Sequence, residues 1–148
     1  MGCEGRAVCY ERDVQVFDRS TPFAGSVLLA VAVGGATGAS GRWLVAWAVD
    51  ATAGVHQPGT WPWATLIANV LGCVLIGFAA RRIEHDTTAW AFVVTGVLGG
   101  FTTFSAFAIE LNDMADVERL PLAVLYGAVT LAAGIGATAI ADIGRGQT

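Results

Sequence analysis

The stretch that most constrains this chain is Gly96–Glu110, reading GVLGGFTTFSAFAIE. It lies within an uncharged run from Thr87 to Ile109, long enough to cross a bilayer, which takes about 20 residues as a helix. Its middle is a poor helix. Gly99-Gly100 followed by Phe101-Thr102-Thr103 combines maximal backbone freedom with β-branched residues, both unfavourable in a helix interior. An unpaired backbone group in hydrocarbon costs several kcal/mol, so a break at that depth survives only where protein or a polar cavity satisfies it. Half-helices meeting at a break expose free carbonyls and amides, which suits an ion site. Beyond the break, Phe104, Phe107 and Glu110 recur every third residue and share a helix face. The pattern predicts a span broken at mid-membrane in a protein that handles an ion.

Composition supports a membrane setting. The chain has 148 residues, 55% hydrophobic and 14% charged, against about 25% charged in soluble domains. It reads as one all-α membrane domain, with no basic surface for nucleic acid. All eight positive residues are arginine. Cys3 and Cys9 lack metal or redox spacing, and Cys73 reads as a small packing residue inside an apolar span. No Ser/His/Asp set, metal-ligand cluster or phosphate loop points to an enzyme.

Residues 1–22 are polar, lack the apolar stretch of a signal peptide and read as a disordered or loosely attached extension ended by Pro22. The four-helix transmembrane domain spans 23–142, with helices predicted at about 23–49, 61–80, 88–110 and 120–141, followed by a short tail at 143–148. Gly34, Gly35 and Gly38 give the first helix a face that another helix can approach closely. Trp61 and Trp63 mark an interface belt. Short connections make neighbouring helices antiparallel. One such unit has little room for a continuous aqueous pore, so the chain is expected to oligomerise.

The polar residues within the spans carry two readings each. Asn69, with Thr65 four residues before it, is either interhelical glue or a pore-lining donor. Tyr126, Thr130 and Thr138 form one stripe on the fourth helix, facing either a partner helix or a pathway. Arg42 either snorkels to the headgroups or makes a buried structural or pore contact. His56, in the loop from Asp50 to Thr60, reads as a solvated residue.

These motifs resemble the small fluoride channels of the Fluc (CrcB) family. The resemblance is carried by GGATG with Arg42 in the first span, ATLIANVLG at 64–72 in the second, and GVLGGFTTFSAF at 96–107 in the third. The last is highly specific. The fourth span matches by Tyr126 and Thr130 alone, and the tail before Pro22 has no counterpart. The resemblance implies an antiparallel dimer with two narrow pores, conducting fluoride passively out of the cytoplasm across a bacterial plasma membrane. It also implies a structural sodium ion at the dimer centre, held by backbone carbonyls that map to Gly99 and Thr102. Phe104 and Phe107 map to the pore phenylalanines, Asn69 to the pore asparagine and Thr65 to the second-helix hydroxyl. Glu110 and Arg42 match family positions as well.

Elementary chemistry agrees. Fluoride is small and holds its water tightly, so a selective pore must bring donors close to it. Asn69, Thr65, Ser105, Tyr126 and Thr130 can each donate, and ring edges of Phe104 and Phe107 carry positive potential toward an anion. Two other functions fit a small four-helix chain less well. A small proton-coupled transporter needs an ionisable group deep in the membrane, whereas Glu110 is expected at the end of its span. A non-conducting partner subunit would be expected to lack Asn69 or the phenylalanines. Arginine placement bears on the partner. Arg6, Arg12, Arg19, Arg81, Arg82 and Arg145 fall on one side against Arg42 and Arg119 on the other, which favours cytoplasmic termini. Without the tail the bias nearly vanishes. An antiparallel homodimer is preferred to pairing with a separately encoded relative, because one chain carries the full motif set.

Overall fold

The computed structural model describes residues 23–54 and 57–142. The predicted extension 1–22 with Cys3 and Cys9, His56, and the tail 143–148 with Arg145 lie outside the described residues. All regular structure among the described residues is helical, and four segments are long and apolar enough to cross a membrane: Gly25–Ala53, Trp63–Arg82, Thr88–Asp116 and Leu120–Ile140.

Helix α1 covers Phe23–Ala53. Its hydroxyls turn back on the preceding turn: Thr37 Oγ1 donates to the Val33 carbonyl at 2.8 Å and Ser40 Oγ to that of Ala36 at 2.9 Å. This lets polar side chains sit in an apolar helix without an outside partner. The predicted end near residue 49 is too early. Thr52 Oγ1 bonds the Ala48 carbonyl at 3.0 Å, and the helix closes at Gly54 (φ +88°), whose amide reaches the Asp50 carbonyl at 3.0 Å. A glycine in left-handed conformation is the usual stop. Helix α2, Trp63–Arg82, begins two residues later than predicted, after Pro62, and its buried residues Thr65, Ala68, Gly72 and Ala79 keep helical spacing.

The third span is composite. Thr87 caps the short α3, Thr88–Trp90, by accepting the Trp90 amide at 3.1 Å. A π-helical stretch follows over Ala91–Leu98, then α4, Gly99–Phe101. Thr102 and Thr103 are extended, with φ/ψ of −78°/158° and −148°/119°, and α5 runs over Phe104–Asp116. Helix α5 outruns its predicted end at Glu110 by more than a turn. The Asn112 amide donates to Asp116 Oδ2 at 2.9 Å one turn on, and the helix stops where Glu118 turns to φ +61°. Helix α6 covers Leu120–Asp142.

Packing is built on glycine. A Cβ on Gly34 would stand 2.5 Å from the Phe92 carbonyl oxygen, and one on Gly96 would lie 2.9 Å from the Gly34 Cα. A Cβ on Gly38 would collide with the Val97 carbonyl. The wider π turn projects those carbonyls into the space the α1 glycines leave. Close backbone approach of this kind drives helix association where lipid removes the hydrophobic incentive. Elsewhere α6 packs on α2 and α5 around a small core of Phe107, Met114, Ala123 and Tyr126. Across one end, Arg119 Nη1 donates to the Gly59 carbonyl at 3.0 Å, tying the α5–α6 turn to the α1–α2 loop. Much of the outer surface is apolar, with Leu28, Trp43, Phe78, Leu131 and Ile140 all exposed.

Candidate functional site

The site grows from the extended pair Thr102–Thr103. In an unbroken helix the Thr103 amide would donate to the Gly99 carbonyl, and the Ala106 amide to that of Thr102. Here the Thr103 amide donates to Asn69 Oδ1 at 2.8 Å and the Ala106 amide to Thr103 Oγ1 at 3.1 Å. Asn69 completes the exchange by donating from Nδ2 to the Thr103 carbonyl at 3.0 Å. One side chain of α2 thus replaces a β-ladder pair for a residue that has left its helix, which meets the demand that buried backbone groups be paired. Thr102 keeps its own turn, with amide and hydroxyl both donating to the Leu98 carbonyl at 3.0 and 2.9 Å. Gly72 makes room for it, since a Cβ there would collide with Thr102 Cγ2.

Beside this bridge lies a cavity of about 470 Å³ lined by Asn69, Cys73, Thr103, Phe104, Phe107 and Thr130 among others. The two phenylalanine rings stand 5.9 Å apart at 48°. Their environments differ: Phe107 is 8% exposed and Phe104 79%. Thr130 is buried. Phe107 also packs 5.4 Å from the Tyr126 ring, which is wholly buried.

Tyr126 leads to a second polar cluster. Its hydroxyl donates to Glu110 Oε2 at 2.7 Å, and Thr65 Oγ1 donates to Glu110 Oε1 at 2.5 Å. Helices α2, α5 and α6 therefore meet on one carboxylate, and hydrogen bonds to the charged form are what a partly buried carboxylate requires. A cavity of about 450 Å³ opens here, with Asp50, Thr60, Trp61, Thr65 and Glu110 in its wall. A third, of about 290 Å³, is lined by Arg42, Thr65 and Thr103.

The predicted site residues therefore fall into neighbouring groups. Asn69, Thr102, Phe104, Phe107 and Thr130 share the first cavity, Thr65 and Glu110 the second, and Thr65 with Arg42 the third. Tyr126 bridges the first two by packing on Phe107 and bonding Glu110. Ser105 is not brought in; it is exposed and shares a 3.2 Å hydrogen bond with the Thr103 hydroxyl. Glu110 is not at the end of its helix as expected, but midway along α5 and bonded to two other helices. Its position thus no longer argues against a transporter, although its two oxygens are already engaged. Sequence reasoning missed Thr103, whose backbone and hydroxyl organise the extended pair. Trp61, read as an interface marker, also packs its ring edge-on to Tyr126 at 5.4 Å.

Residues 29–142 match the family model described as CrcB-like protein, Camphor Resistance (CrcB). The chain is 43% identical over 98 residues to a fluoride-specific ion channel FluC of Opitutus terrae, covering 62% of this chain and 71% of that one. It is 41% identical over 114 residues to a protein of the same name from Hyphomonas neptunium, covering 74% and 87%. With a third, from Bordetella petrii, it shares 39% identity over 116 residues, covering 76% and 85%.

Proposed function

This chain belongs to the CrcB-like family, whose named function is ion conduction and not catalysis, and we propose that it is a fluoride-selective channel of the bacterial plasma membrane. In this reading it lets fluoride leave the cytoplasm passively and so lowers a toxic concentration. One observation carries the proposal. The segment matched to the family, 29–142, contains every residue that lines the three cavities.

The pathway runs past Asn69, Phe104, Phe107 and Thr130 toward Tyr126, Thr65 and Glu110. Fluoride gives up tightly held water only where strong donors replace it. Ring edges of Phe104 and Phe107 favour an anion and repel a cation at the same place, and Thr130 offers a buried hydroxyl in the same cavity. Arg42, beside Thr65 and Thr103, supplies positive charge near the path.

The unit operates in this proposal as an antiparallel homodimer with a break at mid-membrane in each third span. Exposed Phe104 supports it, because a pore ring open to the outside of one subunit needs a second subunit to enclose it. A structural sodium ion at the dimer centre is part of the same reading. The Gly99 and Thr102 carbonyls suit it, since the amides that would pair with them donate elsewhere and unwound carbonyls coordinate such cations. When bound, the ion would fix the two extended segments against each other. Exchanging sodium for the larger potassium should weaken the dimer in detergent; unchanged mass would count against the site.

Cells lacking their own fluoride exit route test the function. Expression of this chain should restore growth in millimolar-range fluoride. Growth no better than with empty vector, at normal membrane abundance, would sink the proposal.

A further inference from the structure

Trp61 is the feature that the pathway above does not use. Its indole Nε1 is buried and has no hydrogen-bond partner, and an indole nitrogen can only donate. Buried polar groups are nearly always paired, so an orphan donor calls for a reason. The residue is also carefully placed. Pro62 follows it, and the Trp63 amide bonds the Trp61 carbonyl at 3.1 Å. The preceding turn is closed by Thr60, whose amide reaches the Gln57 carbonyl at 3.0 Å, and by Arg119 on the Gly59 carbonyl. Gly59 holds φ +75° there, a conformation that glycine adopts without strain. The loop thus presses the indole against the T-shaped face of Tyr126, 5.4 Å away, in the wall of the cavity that contains Thr65 and Glu110.

We infer that Trp61 is a further anion-binding residue of this channel, its indole N–H donating to fluoride in the cavity walled by Thr65 and Glu110. The inference rests on the fluoride-channel reading. The geometry explains why a donor is needed there. Thr65 and Tyr126 already spend their hydroxyls on the Glu110 carboxylate, and Asp50 adds a second acidic residue to the same wall. An anion entering this cavity meets carboxylates and no free hydroxyl from that pair. The indole N–H belongs to a residue of the same wall and has no protein acceptor. Because Nε1 is enclosed, it serves a small dehydrated ion better than a large hydrated one. Trp61 therefore contributes to selectivity as well as to passage.

Replacing Trp61 with benzothienylalanine by nonsense suppression keeps the ring and removes the N–H. Fluoride efflux from proteoliposomes, at equal incorporation, should fall about tenfold, as the loss of one charge-assisted bond predicts. Unchanged efflux would overturn the inference. A second measurement needs no variant. In protein carrying ¹⁵N-tryptophan, one of the five indole resonances should shift on adding fluoride and not on adding chloride. If none moves, the inference fails even where the variant does not assemble. If the unaltered protein conducts no fluoride, the channel reading itself fails and takes this one with it.

Discussion

The hydroxyl of Tyr126 and the carboxylate of Glu110 lie 2.7 Å apart, joining α6 to α5 in the interior of the bundle. Thr65 holds the other carboxylate oxygen from α2. Three helices that already pack around Phe107, Met114, Ala123 and Tyr126 are thereby also joined at one carboxyl group. Replacing Tyr126 with Phe leaves Glu110 short of a partner, and hydrogen bonds to charged groups contribute roughly 1.5–3 kcal/mol. Y126F should lower the thermal midpoint in detergent and reduce fluoride flux. A midpoint and flux equal to wild type would show that the bond is incidental.

Asn69 offers a sharper case, because it uses donor and acceptor together on Thr103. Asn69→Asp keeps the shape and loses the donor, setting a carboxylate oxygen against the Thr103 carbonyl. That costs on the order of 2 kcal/mol or more and adds a negative charge to the anion's path. Flux should vanish and stability drop together. Asn69→Asp with normal flux would refute the role given to this side chain.

The two phenylalanines should separate by burial. Phe104→Ile changes a ring 79% exposed in the single subunit, so monomer stability should hold while fluoride flux falls. Phe107→Ile alters a core residue packed on Tyr126 and should lose flux and about 1–2 kcal/mol of stability as well. Equal stability losses for both, or flux unaffected in either, would contradict the assignment.

Gly38→Ala tests the packing of α1 on the third span. Its Cβ would meet the Val97 carbonyl and lie 2.8 Å from the Phe101 amide nitrogen. Both are backbone and cannot swing away, so the helices must separate at a cost of about 1–3 kcal/mol or more. The control is Gly25→Ala, where nothing lies within 4 Å. Thermal unfolding in detergent should distinguish them clearly; identical curves would remove glycine contact as the basis of this pairing.

How far the sequence reaches can be followed residue by residue. Hydropathy marked the four apolar segments, and the spacing of Gly34 and Gly38 marked a face for close approach, which Phe92, Gly96 and Val97 occupy. The π-helical turn over AFVVTGVL left no trace, because a uniformly apolar run has no periodicity from which to distinguish helix types. Asn69 was recognisable as an amide in need of partners. Its partner lies 34 residues away on backbone, and tertiary pairing of that kind has no local signal. Glu110 was misplaced because a charge ends a hydropathy run whether or not it ends the helix. The two hydroxyls that hold it come from other helices. Trp61 beside Trp63 looked like an ordinary interface pair, and only the packed structure reveals its orphan N–H.

The most direct test of the central claim is ion efflux from liposomes containing the purified full-length chain, loaded in parallel with fluoride or chloride. The account predicts rapid fluoride release once a counter-ion pathway is opened by valinomycin, with chloride retained as in protein-free vesicles. Fluoride retained at verified incorporation, or chloride released as readily as fluoride, would contradict it.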